Sequence, residues 1–215
     1  MFEARQLEVR IRRLEILRGV TLDVPEGGVV GLVGRNGAGK TTTLRSLMGL
    51  MPVHAGTVTL AGTDLLRVPA HRRAVLGIGY MPEDRRLIPT LTAEQNILLP
   101  ALANRLRDGR ERLARVYARL PEVEEWSARR ATQLSGGQQK LVALARALVV
   151  GRRLLLLDEP FEGVAPALAE KMGDAILAAR DEDGVCCLLA ESEHRQVERL
   201  ADRVFTIERG AVAAA

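Results

Sequence analysis

The segment Gly34-Arg35-Asn36-Gly37-Ala38-Gly39-Lys40-Thr41 follows the pattern G-x-x-x-x-G-K-[ST] in full. Such spacing suits a polyphosphate ligand. Its glycines let backbone N–H groups turn inward around phosphate oxygens, and a helix starting there adds free N–H groups and the positive end of its dipole. Lys40 would place a point charge on the β and γ phosphates, Thr41 a hydroxyl on Mg²⁺ and Thr42 a hydroxyl on the α phosphate of ATP. A Gly-rich turn could match by chance. The apolar strand pattern of Val29–Val33 before the loop and the helical pattern from Thr41 to Leu50 after it are, however, the context the motif requires.

A second chemical cluster follows Leu154–Leu157, where an all-leucine strand ends in Asp158-Glu159. Two acids at the end of a buried strand are costly unless they have a task. Asp158 is placed to hold the water shell of Mg²⁺, and Glu159 to act as general base on the water that attacks the γ phosphate in line. The competing reading is that both acids merely cap the helix after Pro160. A third cluster, Ser135-Gly136-Gly137-Gln138 after Leu134, opens a helix and offers a hydroxyl and free N–H groups to an anion. A plain Ser N-cap is compatible with the same residues.

Taken together, LSGGQ at 134–138 ahead of the Asp158-Glu159 strand, with a helical stretch between the two phosphate motifs, resembles the ATP-binding-cassette ATPases over nearly the whole chain. The resemblance implies head-to-tail pairing of two such subunits, with Ser135, Gly136, Gly137 and Gln138 facing ATP on the partner. It also exposes departures. Where many relatives carry Gln after the Gly77–Met81 strand, this chain has Glu83, whose carboxylate could still reach Mg²⁺ or its water. The position of the family's adenine-stacking aromatic falls on Ile11, near Arg12 and Arg13. The switch-histidine position falls on Ser192, with His194 able to substitute only if the loop is shifted; otherwise His194 is an exposed helix-start residue. Ala165 stands where relatives carry a polar cross-dimer Asp.

The departures resemble one subgroup, the ATPases of branched-chain amino-acid importers and the related urea or amide importers. Gly77-Ile78-Gly79-Tyr80-Met81-Pro82-Glu83, Leu91-Thr92-Ala93-Glu94-Gln95-Asn96 and Gly163-Val164-Ala165-Pro166 carry that likeness, specifically to the subgroup's second ATPase. The resemblance implies a second cassette subunit (a paralogue or another copy), two transmembrane permeases and, indirectly, a periplasmic solute-binding protein. The alternative within the superfamily is a cassette ATPase of DNA repair, chromosome organisation or translation. Those usually carry long coiled coils or two cassettes in one chain, and neither is seen here. The chain ends sooner after its last hairpin than many relatives do, which leaves its terminal element open.

The elements that must position these residues read as a single α/β domain over 1–215: a P-loop NTPase core with an antiparallel β subdomain and an inserted α-helical subdomain at about 84–134. Antiparallel strands at Leu7–Ile11 and Ile16–Val24 feed Val29–Val33; a strand pair follows around Gly56–Leu60, and another strand at Leu76–Met81. Leu113, Val116, Tyr117 and Leu120 share one helix face that Pro121 ends. Helices follow at Gly136–Val150 and Ala167–Arg180, then a strand at Val185–Ala190 and a hairpin from Val204.

The hydrophobic fraction of 47% with only 3% aromatics fits a core of Leu, Val, Ile and Ala. No apolar run reaches the roughly 20 residues of a membrane span, and Met1–Arg5 lacks the features of a secretory signal. Both point to a cytosolic chain, for which any membrane role is by docking; the resemblance to importer ATPases implies a peripheral subunit on the cytoplasmic face of the inner membrane. The net charge of +4 comes from Arg interspersed with Glu and Asp, a solvated surface with no nucleic-acid partner implied. Cys186 and Cys187 are neighbours on a buried strand, pointing to opposite faces, so neither a disulfide nor a metal site is expected.

Overall fold

The computed structural model describes residues 1–214. The chain opens with β1 (Phe2–Ile11), β2 (Leu14–Val24) and β3 (Val29–Val33), then α1 (Lys40–Leu47), β4 (Ala55–Leu60) and β5 (Thr63–Asp64). A one-turn helix α2 (Ala70–Arg73) leads to β6 (Ile78–Met81), and then α3 (Ala93–Ala103), α4 (Gly109–Arg119), α5 (Pro121–Glu125) and α6 (Gly136–Val150) run in succession. The remainder is β7 (Leu154–Asp158), α7 (Pro166–Asp183), β8 (Cys186–Glu191), α8 (His194–Glu198), β9 (Arg203–Glu208) and β10 (Ala211–Ala214).

Two sheets result. One is antiparallel in the order β2-β1-β4-β5; the other has the order β10-β9-β3-β8-β7-β6 and is parallel except for β10. Strands buried on both faces carry no polar side, which is why β3 reads Val-Val-Gly-Leu-Val and β7 begins with four leucines. Alternation still sorts their side chains: Leu155 and Leu157 pack with α6, and Leu154 and Leu156 with α1 and the antiparallel sheet. The same alternation sends Cys187 to one cluster and Cys186 to the other, and both thiols are free. Burying each such leucine contributes about 2 kcal/mol.

The helix α6 lies against the edge strand β6 so closely that a Cβ on Gly79 would sit 2.1 Å from the Ala147 carbonyl oxygen. The α3–α5 helices pack on the other side of α6 through Ile97, Leu98, Leu113, Val116 and Val123. A capping box in which Thr92 and Gln95 satisfy each other's backbone N–H groups starts α3. Pro121, read from sequence as ending a helix, also opens α5 at its first position.

Several boundaries differ from the sequence reading for local reasons. β1 begins at Phe2 because Phe2 and Ala4 face inward, but a bulge at Gln6, with φ of 51°, shifts the phase so that Leu7 and Val9 face in after it. Leu76 and Gly77 belong to a turn, with Gly77 at φ +84°, so β6 starts only at Ile78. β8 reaches one residue further, to Glu191, whose buried side chain the apolar pattern did not include.

Candidate functional site

Three parallel strands, β3, β7 and β8, end side by side, and a parallel sheet presents its ligands at carboxyl ends. The loop Gly34–Gly39 leaves β3 and enters α1 with Gly39 at φ +119°, a conformation open to glycine and strained for other residues. The loop is pinned by the Ala38 N–H on the Arg35 carbonyl at 3.0 Å and by the Gly210 N–H on the Ala38 carbonyl at 2.8 Å.

Lys40 is the first residue of α1 and is buried. Its Nζ donates to the Gly34 carbonyl at 2.6 Å and to Ser192 Oγ at 2.9 Å, and pairs with Glu159 Oε1 at 3.0 Å. Beside it Thr41 Oγ1 donates to Asp158 Oδ1 at 3.1 Å. Asp158 Oδ2 is buried with no partner. Burial raises the Asp158 carboxyl to about 6; the Thr41 hydroxyl and Lys40 oppose the shift, and Glu83 and Glu159 add to it. A cleft of about 730 Å³ opens next to these groups, lined by Thr41, Asp158, Glu83, Tyr80 and Arg86 among others. Glu83 is exposed on its rim.

Glu159 follows directly and holds φ +48°, a strained value for a non-glycine residue. Its Oε1 lies 2.6 Å from Ser192 Oγ and its Oε2 accepts the Ser192 N–H at 3.1 Å. Burial pushes its pKa up, but hydrogen bonds from Glu191, Ser192 and Lys40 outweigh that and hold the carboxylate below the usual range. Ser192 Oγ also lies 2.8 Å from Asn36 Oδ1, which ties the phosphate loop to the end of β8. His194 instead sits on the first turn of α8, exposed, with Glu198 Oε1 4.0 Å from its Nδ1.

The chain thus brings together Lys40, Thr41, Asp158, Glu159, Ser192 and Asn36, with Glu83 across the cleft. Gly34, Arg35, Gly37, Ala38, Gly39 and Thr42 complete the loop and the first turn around them. Ser135 and Gly136 lie apart, exposed at the start of α6, where Ser135 Oγ accepts the Gln138 N–H at 3.3 Å and Gln138 Oε1 accepts the Ser135 N–H at 2.9 Å. Gly137 is half-buried, its Cβ direction met by Leu168 at 3.0 Å. Ile11 is 44% exposed at the tip of the β1–β2 hairpin, far enough into solvent to offer an open aliphatic face.

Two buried charged groups at the site were not singled out from sequence. Glu191 Oε1 accepts the Phe161 N–H at 3.0 Å, and burial, with Glu159 as its neighbour, pushes its carboxyl up to about 8. Lys140, on the second turn of α6, donates to the Glu159 carbonyl at 2.6 Å. The available signal was a charge inside an apolar run: Glu191 after Cys186–Ala190, and Lys140 before Leu141–Leu144.

The Thr41 hydroxyl and the Asp158 carboxylate meet at this edge of the cleft, with Glu83 and Asp84 elsewhere in its lining, and among the described residues no cluster of three or more His, Cys, Asp or Glu could cage a metal. An unpartnered buried carboxylate oxygen beside a hydroxyl fits a hard cation that keeps most of its ligands as water and phosphate.

Comparison with known proteins gives a consistent picture. The ABC transporter family matches residues 17–162. The probable branched-chain amino acid transport ATP-binding protein LivF of Archaeoglobus fulgidus is 33% identical over 99% of this chain and 90% of its own length. The high-affinity branched-chain amino acid transport ATP-binding protein BraG of Pseudomonas aeruginosa is 34% identical over 93% of this chain and 85% of its own. The thiamine import ATP-binding protein ThiQ of a Ruegeria species is 37% identical over 94% of this chain and 89% of its own. Among solved structures, a dimeric bacterial ABC transporter cassette superposes with a TM-score of 0.87 at 25% identity, covering 99% of this chain and 96% of that one.

Proposed function

The chain belongs to the ABC transporter family and is an ATPase of it, and from that premise we propose that it powers an importer of branched-chain amino acids. The observation that carries the ATP chemistry is the meeting of Lys40, Thr41, Asp158, Glu159 and Ser192 at the carboxyl ends of β3, β7 and β8. The likeness to LivF and BraG, together with the Glu83 and Gly163–Pro166 departures, supports the solute class; thiamine, named for a relative of similar identity, is the competing solute.

In this reading the loop from Gly34 to Gly39 receives the phosphates on its N–H groups, and Lys40 turns its Nζ from the Gly34 carbonyl and Glu159 toward the β and γ oxygens. Thr41 and Asp158, with Glu83 from across the cleft, would hold Mg²⁺, which supplies charge neutralisation at the β and γ phosphates. Glu159 is the general base: its depressed pKa keeps it ionised, and it takes a proton from the water as that water attacks phosphorus in line. Ser192 fixes one edge of the Glu159 carboxylate through its N–H and occupies the switch position beside Lys40. Ile11 gives adenine an aliphatic rest, so base selectivity is weak.

A second cassette closes the site by bringing its own counterpart of Ser135–Gln138 over the γ phosphate. Residues 84–134 act as an inserted helical subdomain, and the segment Pro82–Arg86 at its root is where permeases touch. No helix among the described residues is long and apolar enough to cross a membrane, in keeping with a peripheral subunit held at the cytoplasmic face by those permeases. ATP drives the cycle by binding the closed pair more tightly than the open one.

Purification of this chain from native membranes in mild detergent, with mass spectrometry of its companions, tests the proposal. Two polytopic permeases, a second cassette ATPase and leucine- or valine-binding by the associated solute-binding protein are expected. Recovery with nucleic acid or ribosomes, or alone, overturns the importer; thiamine binding by the associated protein overturns only the solute.

A further inference from the structure

The phosphate motifs account for the groups in front of Glu159 and leave unexplained the buried groups behind it. Glu191 ends β8 at 2% exposure, anchored by the Phe161 N–H on its Oε1 at 3.0 Å, and both of its chain neighbours hold Glu159: the Glu159 N–H donates to the Ala190 carbonyl at 2.9 Å and the Ser192 N–H to Glu159 Oε2 at 3.1 Å, which sets the two carboxyls side by side. Two buried carboxylates side by side repel, and such a pair is stable when one of them carries a proton that lies between them. The Glu159 carboxylate has Lys40 Nζ at 3.0 Å and the Ser192 N–H and hydroxyl around it, whereas Glu191 has the Phe161 N–H and no cation bonded to it, so Glu191 is the neutral partner and its O–H donates to Glu159.

The front contacts of Glu159 do not all survive nucleotide. Lys40, 3.0 Å from Glu159 Oε1, is the natural partner of the phosphates and is drawn away when they arrive. The rear contacts involve no group that the phosphates would claim. Lys140 keeps the Glu159 carbonyl at 2.6 Å, which steadies a backbone at φ +48°, and Glu191 keeps the carboxyl.

We propose that Glu191 is a positioning residue for ATP hydrolysis: anchored on the Phe161 N–H, its carboxyl fixes the Glu159 carboxylate so that a free edge stays turned to the attacking water after Lys40 has moved to the phosphates. The inference rests on the reading of Glu159 as the base. It concerns how that base is held, and Glu191 itself touches neither water nor phosphate.

The test compares Glu191→Ala, Glu191→Gln and Glu159→Gln in the complex purified through this chain, by steady-state ATP hydrolysis and by Mg-ATP binding. Gln keeps both bonds, its amide oxygen on the Phe161 N–H and its NH₂ on Glu159. Glu191→Ala lowers kcat roughly tenfold or more, the scale of lost orienting partners, while KM for ATP stays within about twofold. Glu191→Gln recovers most of the lost turnover, and in the Glu159→Gln background Glu191→Ala causes no further loss. Should Glu191→Ala fail to fold, Glu191→Asp, which withdraws the carboxyl by one methylene, takes its place and is slow where Glu191→Gln is fast. Undiminished kcat in Glu191→Ala, equal damage in Glu191→Gln, or a loss confined to ATP binding overturns the inference. Full turnover in Glu159→Gln would instead remove the base assignment, and this inference with it.

Discussion

Two helix N-termini in this molecule are suited to an anion, and they are finished to different degrees. At α1, Lys40 and Thr41 are tied to Gly34, Ser192, Glu159 and Asp158, residues from three strand ends. At α6, Ser135 and Gln138 bond each other, and Arg85 Nη1 reaches the Gly136 carbonyl at 3.3 Å. The first terminus is assembled within the chain. The second is capped and exposed, with Arg85 as its neighbouring cation and no carboxylate bonded to it among the described residues, which fits the proposal that it is half of a shared site.

The largest effect that can break this contrast is Lys40→Ala. Charge-assisted hydrogen bonds are worth about 1.5–3 kcal/mol each, so Mg-ATP affinity falls roughly a hundredfold or more when Lys40's contacts to two phosphates are lost. A fluorescent-nucleotide titration that found affinity unchanged would remove the loop from the site. Next comes Glu159→Gln, expected to cut turnover by a factor on the order of 10²–10⁴ with ATP still bound; single-turnover hydrolysis at the normal rate would sink Glu159 as base.

Ser135→Ala sharpens the comparison from the other side. It lowers turnover in the assembled complex while ATP affinity of the isolated chain is unchanged, because Ser135 makes no bond to its own phosphate loop. A drop in the isolated chain's affinity would mean the two termini are not separate. The loss of the cap also costs about 1 kcal/mol of stability, visible as a lower Tm.

The smallest effect concerns pH. Glu191's folded pKa of about 8 lies above the ordinary carboxylate value. Folded protein therefore binds the extra proton in that window, and stability falls as pH rises through it. Glu191→Gln removes the linkage, so its Tm should match wild type near pH 4 and exceed it by a few degrees at pH 8.5. Parallel Tm curves for the two proteins would show that Glu191 is ionised in the fold.

The strands that carry the site were legible because buried parallel strands are nearly pure apolar runs, as Val29–Val33 and Leu154–Leu157 are, and because each leads straight into a polar motif. The helix face of Leu113, Val116 and Tyr117 was legible from its period. β1 was read too short because the Gln6 bulge breaks its alternation, and the two-residue β5 and one-turn α2 are too brief to leave any period. Within the site, loop and acids announce themselves by spacing. Glu191 and Lys140 do not, since their roles depend on which strand end and which helix turn meet in space.

The most direct test of the shared-site account uses an ATP analogue with a photoreactive group on its γ phosphate, bound to the complex purified through this chain and to the isolated chain, with labelled peptides mapped by mass spectrometry. Labelling of residues 135–138 in the complex but only of the 34–42 loop in the isolated chain is the predicted result. Label confined to the loop in both, or reaching 135–138 in both, would contradict it.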